Sequence, residues 1–392
     1  MQILKYQSSR RMRSVQAPVI PIISNLIRET PATISLGQGV VYYGPPRSAM
    51  EKLSDFGKSI EHHKYGPVAG IPELLTGLQK KLIMENNINT DHGSRIIVTA
   101  GANMGFLNAL LAITDPGDEL ILPLPYYFNH EMAISMLNCK AVPVSTDSNY
   151  QPCPDRIRAA ITKRTRAIVT VSPNNPSGAV YPEAVLRDIN QTCREHGIYH
   201  ISDEAYEYFT YNGAVHFSPG SIADADEYTI SLFSLSKAYG FASWRIGYMV
   251  IPEHLEMAVT KAQDTNLICP TLASQYAAVG ALEAGVEYCR EKLRVIRTVR
   301  KNMLEELQSI SSFCITPAAD GAFYFLLEIA TDLNSMDLAQ RLIREHRVAV
   351  IPGITFGMQD ACYLRVAYGA LDQQTGIEGI QRLTHGLSAI VN

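Results

Sequence analysis

Between residues 95 and 250 the chain repeats one unit: an apolar run of strand length, a polar cluster, then a helix-like stretch. This rhythm restricts the fold more than any other feature. Arg95-Ile96-Ile97-Val98-Thr99 turns at Ala100-Gly101-Ala102-Asn103 into a helical run over 104–113, and Glu119-Leu120-Ile121-Leu122 ends at Pro125-Tyr126-Tyr127. Ala141-Val142-Pro143-Val144 reads as a short peripheral strand. Arg166-Ala167-Ile168-Val169-Thr170-Val171 runs into Ser172-Pro173-Asn174-Asn175-Pro176-Ser177-Gly178, with a capped helix expected near Pro182-Glu183. The apolar run 197–202 meets Asp203-Glu204-Ala205-Tyr206, 228–233 meets Ser234-Leu235-Ser236-Lys237, and 245–250 is a further strand. Strands alternating with helices make a mostly parallel sheet covered on both faces. Such sheets bind ligands outside the carboxyl ends of their strands. Loops far apart in sequence are therefore expected to converge on one site.

On either side of this core the pattern changes. Residues 1–45 are irregular and punctuated by Pro18, Pro21, Pro31 and Pro45. Within them, Gly37-Gln38-Gly39 lets backbone approach a ligand, or is a plain turn. Tyr65 lies on a loop ahead of a helix that opens with Ile71-Pro72-Glu73. Past residue 252 helices dominate, over 253–265, 274–283 and 286–310, with Gly285 as a break. A mixed segment follows from Cys314, with a helix over 337–347, strands over 348–351 and 363–367, and a terminal helix. The expected division is an arm with part of a small domain at 1–45, a large domain at 46–285 and a small α+β domain at 286–392.

Composition excludes more than it assigns. A formal charge of −4 gives no reason to expect nucleic acid or an anionic membrane as partner. The apolar runs are too short to span a bilayer. Met1-Gln2-Ile3-Leu4-Lys5-Tyr6, leading to Arg10, Arg11 and Arg13, lacks the apolar segment of a secretory signal. It reads as a dimer-contacting arm, with a vague likeness to a transit peptide. The seven cysteines are scattered and form no C-x-x-C pair, which argues against zinc, a redox motif or a disulfide framework and for reduced thiols in the cytoplasm.

The chemistry centres on Lys237. An ammonium after a buried strand is costly unless it is paired, deprotonated or covalently engaged, and a lysine of low pKa forms Schiff bases with carbonyls. A satisfied structural or surface lysine fits the tetrad equally well on its own. Ser234, Ser236 and Arg245 suit a phosphate, as do the amides of Gly101, Ala102 and Asn103 at a helix N-terminus. An imine-forming lysine with a phosphate cradle describes pyridoxal 5′-phosphate (PLP). Asp203 would hold the proton on its pyridine nitrogen, or else caps a helix. Tyr206 and Asn175 would hydrogen-bond the ring hydroxyl, although Asn-Pro-Ser-Gly is by itself a good turn. Tyr127 would stack on the ring or serve as a core aromatic. Arg365, within an apolar strand, would take a substrate carboxylate or form a structural salt bridge.

With these residues together, the chain resembles the PLP-dependent class I/II aminotransferases of fold type I, from Gly37 to the C-terminus. The likeness is carried by Tyr65-Gly66-Pro67, Gly101-Ala102-Asn103, Asn174-Asn175-Pro176-Ser177-Gly178, Asp203-Glu204-Ala205-Tyr206, Ser234-Leu235-Ser236-Lys237, Trp244-Arg245-Ile246-Gly247-Tyr248 and Leu364-Arg365-Val366-Ala367. It implies an α/β fold, with a mostly parallel seven-stranded sheet between helices and a smaller α+β domain. It implies a homodimer in which Tyr65 reaches the cofactor phosphate of the neighbouring subunit. It implies that Lys237 holds PLP and shuttles a proton, with Asp203 and Tyr206 assisting, and that Gly39, Asn175 and Arg365 bind the carboxylate. The reaction implied is ping-pong transfer from an L-amino acid to a 2-oxo acid such as 2-oxoglutarate. Two departures concern the donor. Val40-Val41-Tyr42-Tyr43 replaces the family's usual continuation after Gly39, and Asn103 stands where some aspartate-active relatives carry lysine. The first leaves side-chain specificity open and the second lowers aspartate as the best donor, so a neutral or aromatic donor is expected, with aspartate aminotransfer as the alternative.

Other readings compete. Ser234-x-x-Lys237 also matches a serine acyl enzyme, but the Lys-Thr-Gly strand of that class is missing. The same PLP site could run β-elimination, as in a cysteine-S-conjugate lyase, or ring closure. The sensor half of a transcription regulator would need an N-terminal helix-turn-helix, for which residues 1–45 are too irregular.

Overall fold

The computed structural model describes residue 6 and residues 8–391; the start of the expected arm, 1–5 and 7, lies outside the described residues, as does 392. The strands, in chain order, are β1 (Ile34–Ser35), β2 (Ser94–Thr99), β3 (Glu119–Pro123), β4 (Lys140–Val144), β5 (Thr165–Val171), β6 (Tyr199–Asp203), β7 (Thr229–Ser234) and β8 (Gly247–Pro252). Then come β9 (Cys314–Ile315), β10 (Tyr324–Ile329), β11 (Val348–Ala349), β12 (Ile351–Pro352) and β13 (Cys362–Ala367).

Seven strands form one sheet in the order β2-β8-β7-β6-β5-β3-β4. Pairing is parallel from β4 to β7, and β8 runs antiparallel to both β7 and β2. The apolar runs are nearly continuous because both faces are covered. Ile97, Leu232 and Met249 pack with helix Ala102–Ile113 on one side, while Val98, Phe233 and Tyr248 pack with helix Pro72–Lys81 on the other. Neighbouring residues of one strand thus serve opposite cores, as the pleat requires. Leu74 and Leu78 are fully buried, and truncating either to Ala removes about 2–5 kcal/mol.

A second sheet, β12-β13-β10-β9, is wholly antiparallel and carries its own apolar core. Helix Leu272–Leu307 runs past both cores: Ala277 and Ala281 pack with the first, Ile296 and Met303 with the second. Between them Gly285 leaves helical geometry at φ 67°, ψ −172°, a conformation glycine adopts without the penalty a Cβ would bring. The expected break falls there.

Two expected strands are corrected. The run 348–351 is not one strand: Val348 and Ala349 pair in parallel with β1, while Ile351 and Pro352 pair with β13. The chain changes sheets at Val350, and an unbroken apolar run conceals the change. The strand expected from Arg245 begins at Gly247, because Arg245 sits at φ 56° in a turn.

Candidate active site

The carboxyl ends of β2, β5, β6 and β7 open on one cavity of about 280 Å³. It is lined by Ala102, Asn103, Tyr127, Val171, Asn175, Asp203, Ala205, Tyr206, Ser234, Ser236, Lys237 and Arg245. A larger cleft beside Arg297 and Arg300 holds none of these groups.

Lys237 lies in the single turn Leu235–Ala238, capped by the Ser234 hydroxyl, which accepts from the Ser236 amide at 3.2 Å. Its Nζ donates to the Gly39 carbonyl at 2.5 Å, and among the described residues it forms no ion pair. Burial lowers its pKa to about 8, and the Arg245 and Arg365 charges push the same way against the pull of Asp203. About a tenth of such an amine is uncharged at pH 7 and about half at pH 8, against almost none of an ordinary lysine.

At one end of the cavity are anion donors. Helix Ala102–Ile113 starts from Gly101 with no side-chain cap, and its first residues, Ala102 and Asn103, line the cavity, where uncapped amides suit an anion. Arg245 is held by the carbonyls of Ala242 (2.8 Å) and Ala100 (3.2 Å) and lies 3.4 Å from the Ser236 hydroxyl. Gly101 is required here: at φ 81°, a Cβ would stand 2.0 Å from the Arg245 guanidinium.

At the other end, Asp203 closes β6. Its Oδ1 accepts from the Ala205 amide at 3.1 Å and its Oδ2 lies 3.1 Å from His130 Nε2. His130 is buried on helix Phe128–Met136 and stacks on Phe106 with ring centroids 4.0 Å apart. Between the two ends, the Tyr206 hydroxyl accepts from Asn175 Nδ2 at 3.1 Å and meets the Tyr324 hydroxyl at 2.8 Å. Burial holds the Tyr206 phenol well above its ordinary value. Burial likewise raises Tyr127, whose hydroxyl accepts from Asn129 at 2.8 Å.

Arg365, from β13, is buried. It donates to Asn175 Oδ1 at 3.0 Å and to the Gly37 carbonyl at 2.6 Å, while its Nε has no protein partner. Its guanidinium lies over the Tyr324 ring at 4.7 Å and the Phe356 ring at 5.1 Å. The carboxylate partner of a structural arginine is absent among the described residues. Gly39 enters the site through its carbonyl, taken up by Lys237. Tyr65 is 81% exposed and outside this cavity. The sequence reasoning missed Val171, Ala205, His130 and Tyr324. Val171 and Ala205 each flank a polar cluster and could have been found; His130 and Tyr324 carry no local signal.

These residues fit PLP. Amides, serine hydroxyls and a guanidinium suit its phosphate, a buried carboxylate suits a protonated ring nitrogen, and a lysine without a counter-ion suits its carbonyl carbon. Val171, Ala205 and Tyr127 supply walls for a flat ring.

The comparisons agree with this geometry. The model of the family "Aminotransferase class I and II" matches residues 31–383. The chain is 34% identical over 394 residues to the aromatic aminotransferase ISS1 of Arabidopsis thaliana, covering 98% of this chain and 97% of that one. It is 35% identical over 336 residues to a probable aspartate/prephenate aminotransferase of Aquifex aeolicus, covering 83% and 84% of the two. A double mutant of Thermus thermophilus aspartate aminotransferase superposes with a TM-score of 0.89 at 30% identity, over 97% of this chain and 100% of that one. By fold, by site and by likeness along nearly its whole length, the chain belongs to the class I and II aminotransferases.

Proposed function

We propose that this enzyme moves the amino group of a neutral or aromatic L-amino acid to a 2-oxo acid such as 2-oxoglutarate, in two half-reactions at one site. Amino-acid aminotransfer with PLP is the activity of its family. The observation that carries the donor class is the placing of the cations. Arg245 is committed to the anion end and Arg365 is the one fork facing the other end, so the described residues offer no second cation for a side-chain carboxylate. One relative is named an aromatic aminotransferase and another a probable aspartate/prephenate aminotransferase, and the two names bracket the choice.

Bound PLP supplies an electron sink for the pair released when the substrate α-proton leaves. The protein does the rest. Ser234, Ser236, Arg245 and the amides of 101–103 hold the phosphate, and Asp203 keeps the ring nitrogen protonated. Tyr127 would cover one face of the ring, and Asn175 and Tyr206 would bond its oxygen. Arg365, with Asn175 and the Gly39 backbone, orients the substrate carboxylate so that its α-hydrogen faces Lys237. Lys237 Nζ, as the uncharged amine, would take the proton from the substrate α-carbon and hold it for return. Its lowered pKa leaves an electron pair available near pH 8.

The functional unit is read as a homodimer in the cytoplasm, with exposed Tyr65 reaching the neighbouring subunit's phosphate. No described helix is long and apolar enough to cross a membrane. The division into an arm at 1–45, a large domain at 46–285 and a small one at 286–392 is supported by the two separate cores and the kink at Gly285. The test is a half-reaction: the yellow protein is mixed with each common amino acid while the visible band and the released 2-oxo acid are followed. Loss of the band with phenylalanine or another neutral donor is expected. Aspartate far ahead of every neutral donor overturns the donor class, and ammonia with pyruvate moves the assignment to a lyase.

A further inference from the structure

Tyr324 belongs to none of the groups that the chemistry above uses, yet it touches three of them. It enters from β10, beside β13, and is fully buried. Its hydroxyl is 2.8 Å from the Tyr206 hydroxyl. The same hydroxyl packs on Gly39, where a Cβ would stand 2.6 Å from it. Its ring carries the Arg365 guanidinium at 4.7 Å. Arg365 returns to Asn175 at 3.0 Å, and Asn175 to Tyr206 at 3.1 Å, so Arg365, Asn175, Tyr206 and Tyr324 close a ring of contacts.

Proton counting gives that ring a direction. A tyrosine hydroxyl has one proton and two acceptor lone pairs. Asn175 Nδ2 can only donate, so the Tyr206 oxygen already accepts once. If Tyr206 gave its proton to Tyr324, it would have none for a ligand. If Tyr324 gives its proton to Tyr206, the Tyr206 oxygen accepts twice and its own proton has nowhere to point but the cavity. The Tyr324 proton has no competing acceptor among the described residues, since the Tyr206 oxygen is the one bonded to it.

We propose that Tyr324 is a positioning residue: its hydroxyl donates to Tyr206 and turns the Tyr206 proton onto the cofactor's ring oxygen, while its ring supports the arginine that receives the substrate carboxylate. This rests on the PLP reading above. A donor held on the ring oxygen draws on the electron pair that retains the neighbouring nitrogen's proton, so it lowers the pH at which that proton is lost. The titratable groups facing the two phenols are Tyr127 and Arg365, and burial raises Tyr324 itself to about 12, so neither tyrosine ionises in the range of the test.

The test compares the wild-type holoenzyme with Tyr324→Phe, Tyr206→Phe and the double variant, by the pH midpoint of the cofactor's visible band. Tyr324→Phe keeps the platform under Arg365 and leaves no cavity. Its midpoint should rise by about half a pH unit or more, the scale of one buried hydrogen bond, and kcat should fall by about 3–10-fold with donor KM little changed. In the Tyr206→Phe background the same change should add nothing. Tyr324→Leu, which also removes the platform, should raise KM as well. A midpoint in Tyr324→Phe equal to wild type, beside a shifted Tyr206→Phe, overturns the proposal. So does an equal shift in both backgrounds. A wild-type protein with no visible band would instead overturn the PLP reading.

Discussion

The cofactor side of the cavity, with its anion and ring ends, and the carboxylate end beside it are built in different ways. The anion end and the ring end come from loops at the tips of four strands of one sheet: Ala102 and Asn103 after β2, Asn175 after β5, Asp203 at the close of β6, and Ser234 to Lys237 at the end of β7. The carboxylate end is assembled across the molecule. Arg365 comes from β13 of the second sheet, Tyr324 from β10, and the carbonyls of Gly37 and Gly39 from the segment after β1. One end hangs on a single rigid sheet. The other exists only when three distant segments meet. A site of this kind separates the chemistry, which needs fixed atoms, from recognition, which can vary with the segments that supply it.

Substitutions at the two ends should therefore fail differently. Lys237→Ala removes the proton carrier and should lower kcat by about 10⁴-fold, with far-ultraviolet circular dichroism unchanged. The same residue predicts a pH effect on the protein stripped of cofactor. The unfolded chain keeps the lysine proton up to about 10.5 and the folded chain only to about 8. The cost of burying the ammonium is thus present in full below pH 8 and fades as pH rises from 8 towards 10.5. Cofactor-free Lys237→Met should be more stable than wild type to urea by about 3 kcal/mol at pH 7, with most of the gap gone by pH 10. An equal gap at both pH values would mean that the amine is not charged and buried in the folded state.

Asp203→Asn should come next, lowering kcat by about 10³-fold, because an amide cannot hold a proton on the ring nitrogen. The band should persist, since the phosphate donors are untouched. Arg365→Lys acts at the other end. Losing the fork should cost about 100-fold in kcat/KM for every α-amino acid, with cofactor affinity measured by dialysis unchanged. If PLP affinity fell as far as kcat/KM, the ends would not be separable.

What could be read from the sequence follows the same line. Lys237, Asp203, Asn175 and the 101–103 turn each follow a strong apolar run, so the strand that places them announces them. Gly285 was legible because a lone glycine between two helical runs has few other uses. His130 behind Asp203 and Tyr324 behind Tyr206 were not, since one buried aromatic on a helix or strand looks like any other until the tertiary contact forms. The split of 348–351 between β11 and β12 was hidden for a related reason. Both halves are buried and apolar, and only their partners, β1 and β13, differ. Arg365 was noticed for its charge in an apolar strand, but nothing local indicated that Gly37 would receive it.

The smallest effect expected is also the sharpest on recognition. Asn103 lines the cavity and its side chain is engaged with the Tyr127 hydroxyl. Asn103→Lys would place an ammonium at the edge of both ends without disturbing Arg245 or Arg365. In a partly solvated cavity one added cation is worth roughly 1–2 kcal/mol to a carboxylate, so kcat/KM for aspartate relative to phenylalanine should rise about 10-fold. Absolute activity on phenylalanine should fall, because the lysine stem narrows the space beside Tyr127. The measurement is a competition assay with both donors present at several salt concentrations, and the gain should shrink as salt rises. A ratio unmoved by the new charge would mean that the donor side chain does not pass Asn103. Its selectivity would then be set by Val40, Val41, Tyr42 and Tyr43, which follow Gly39.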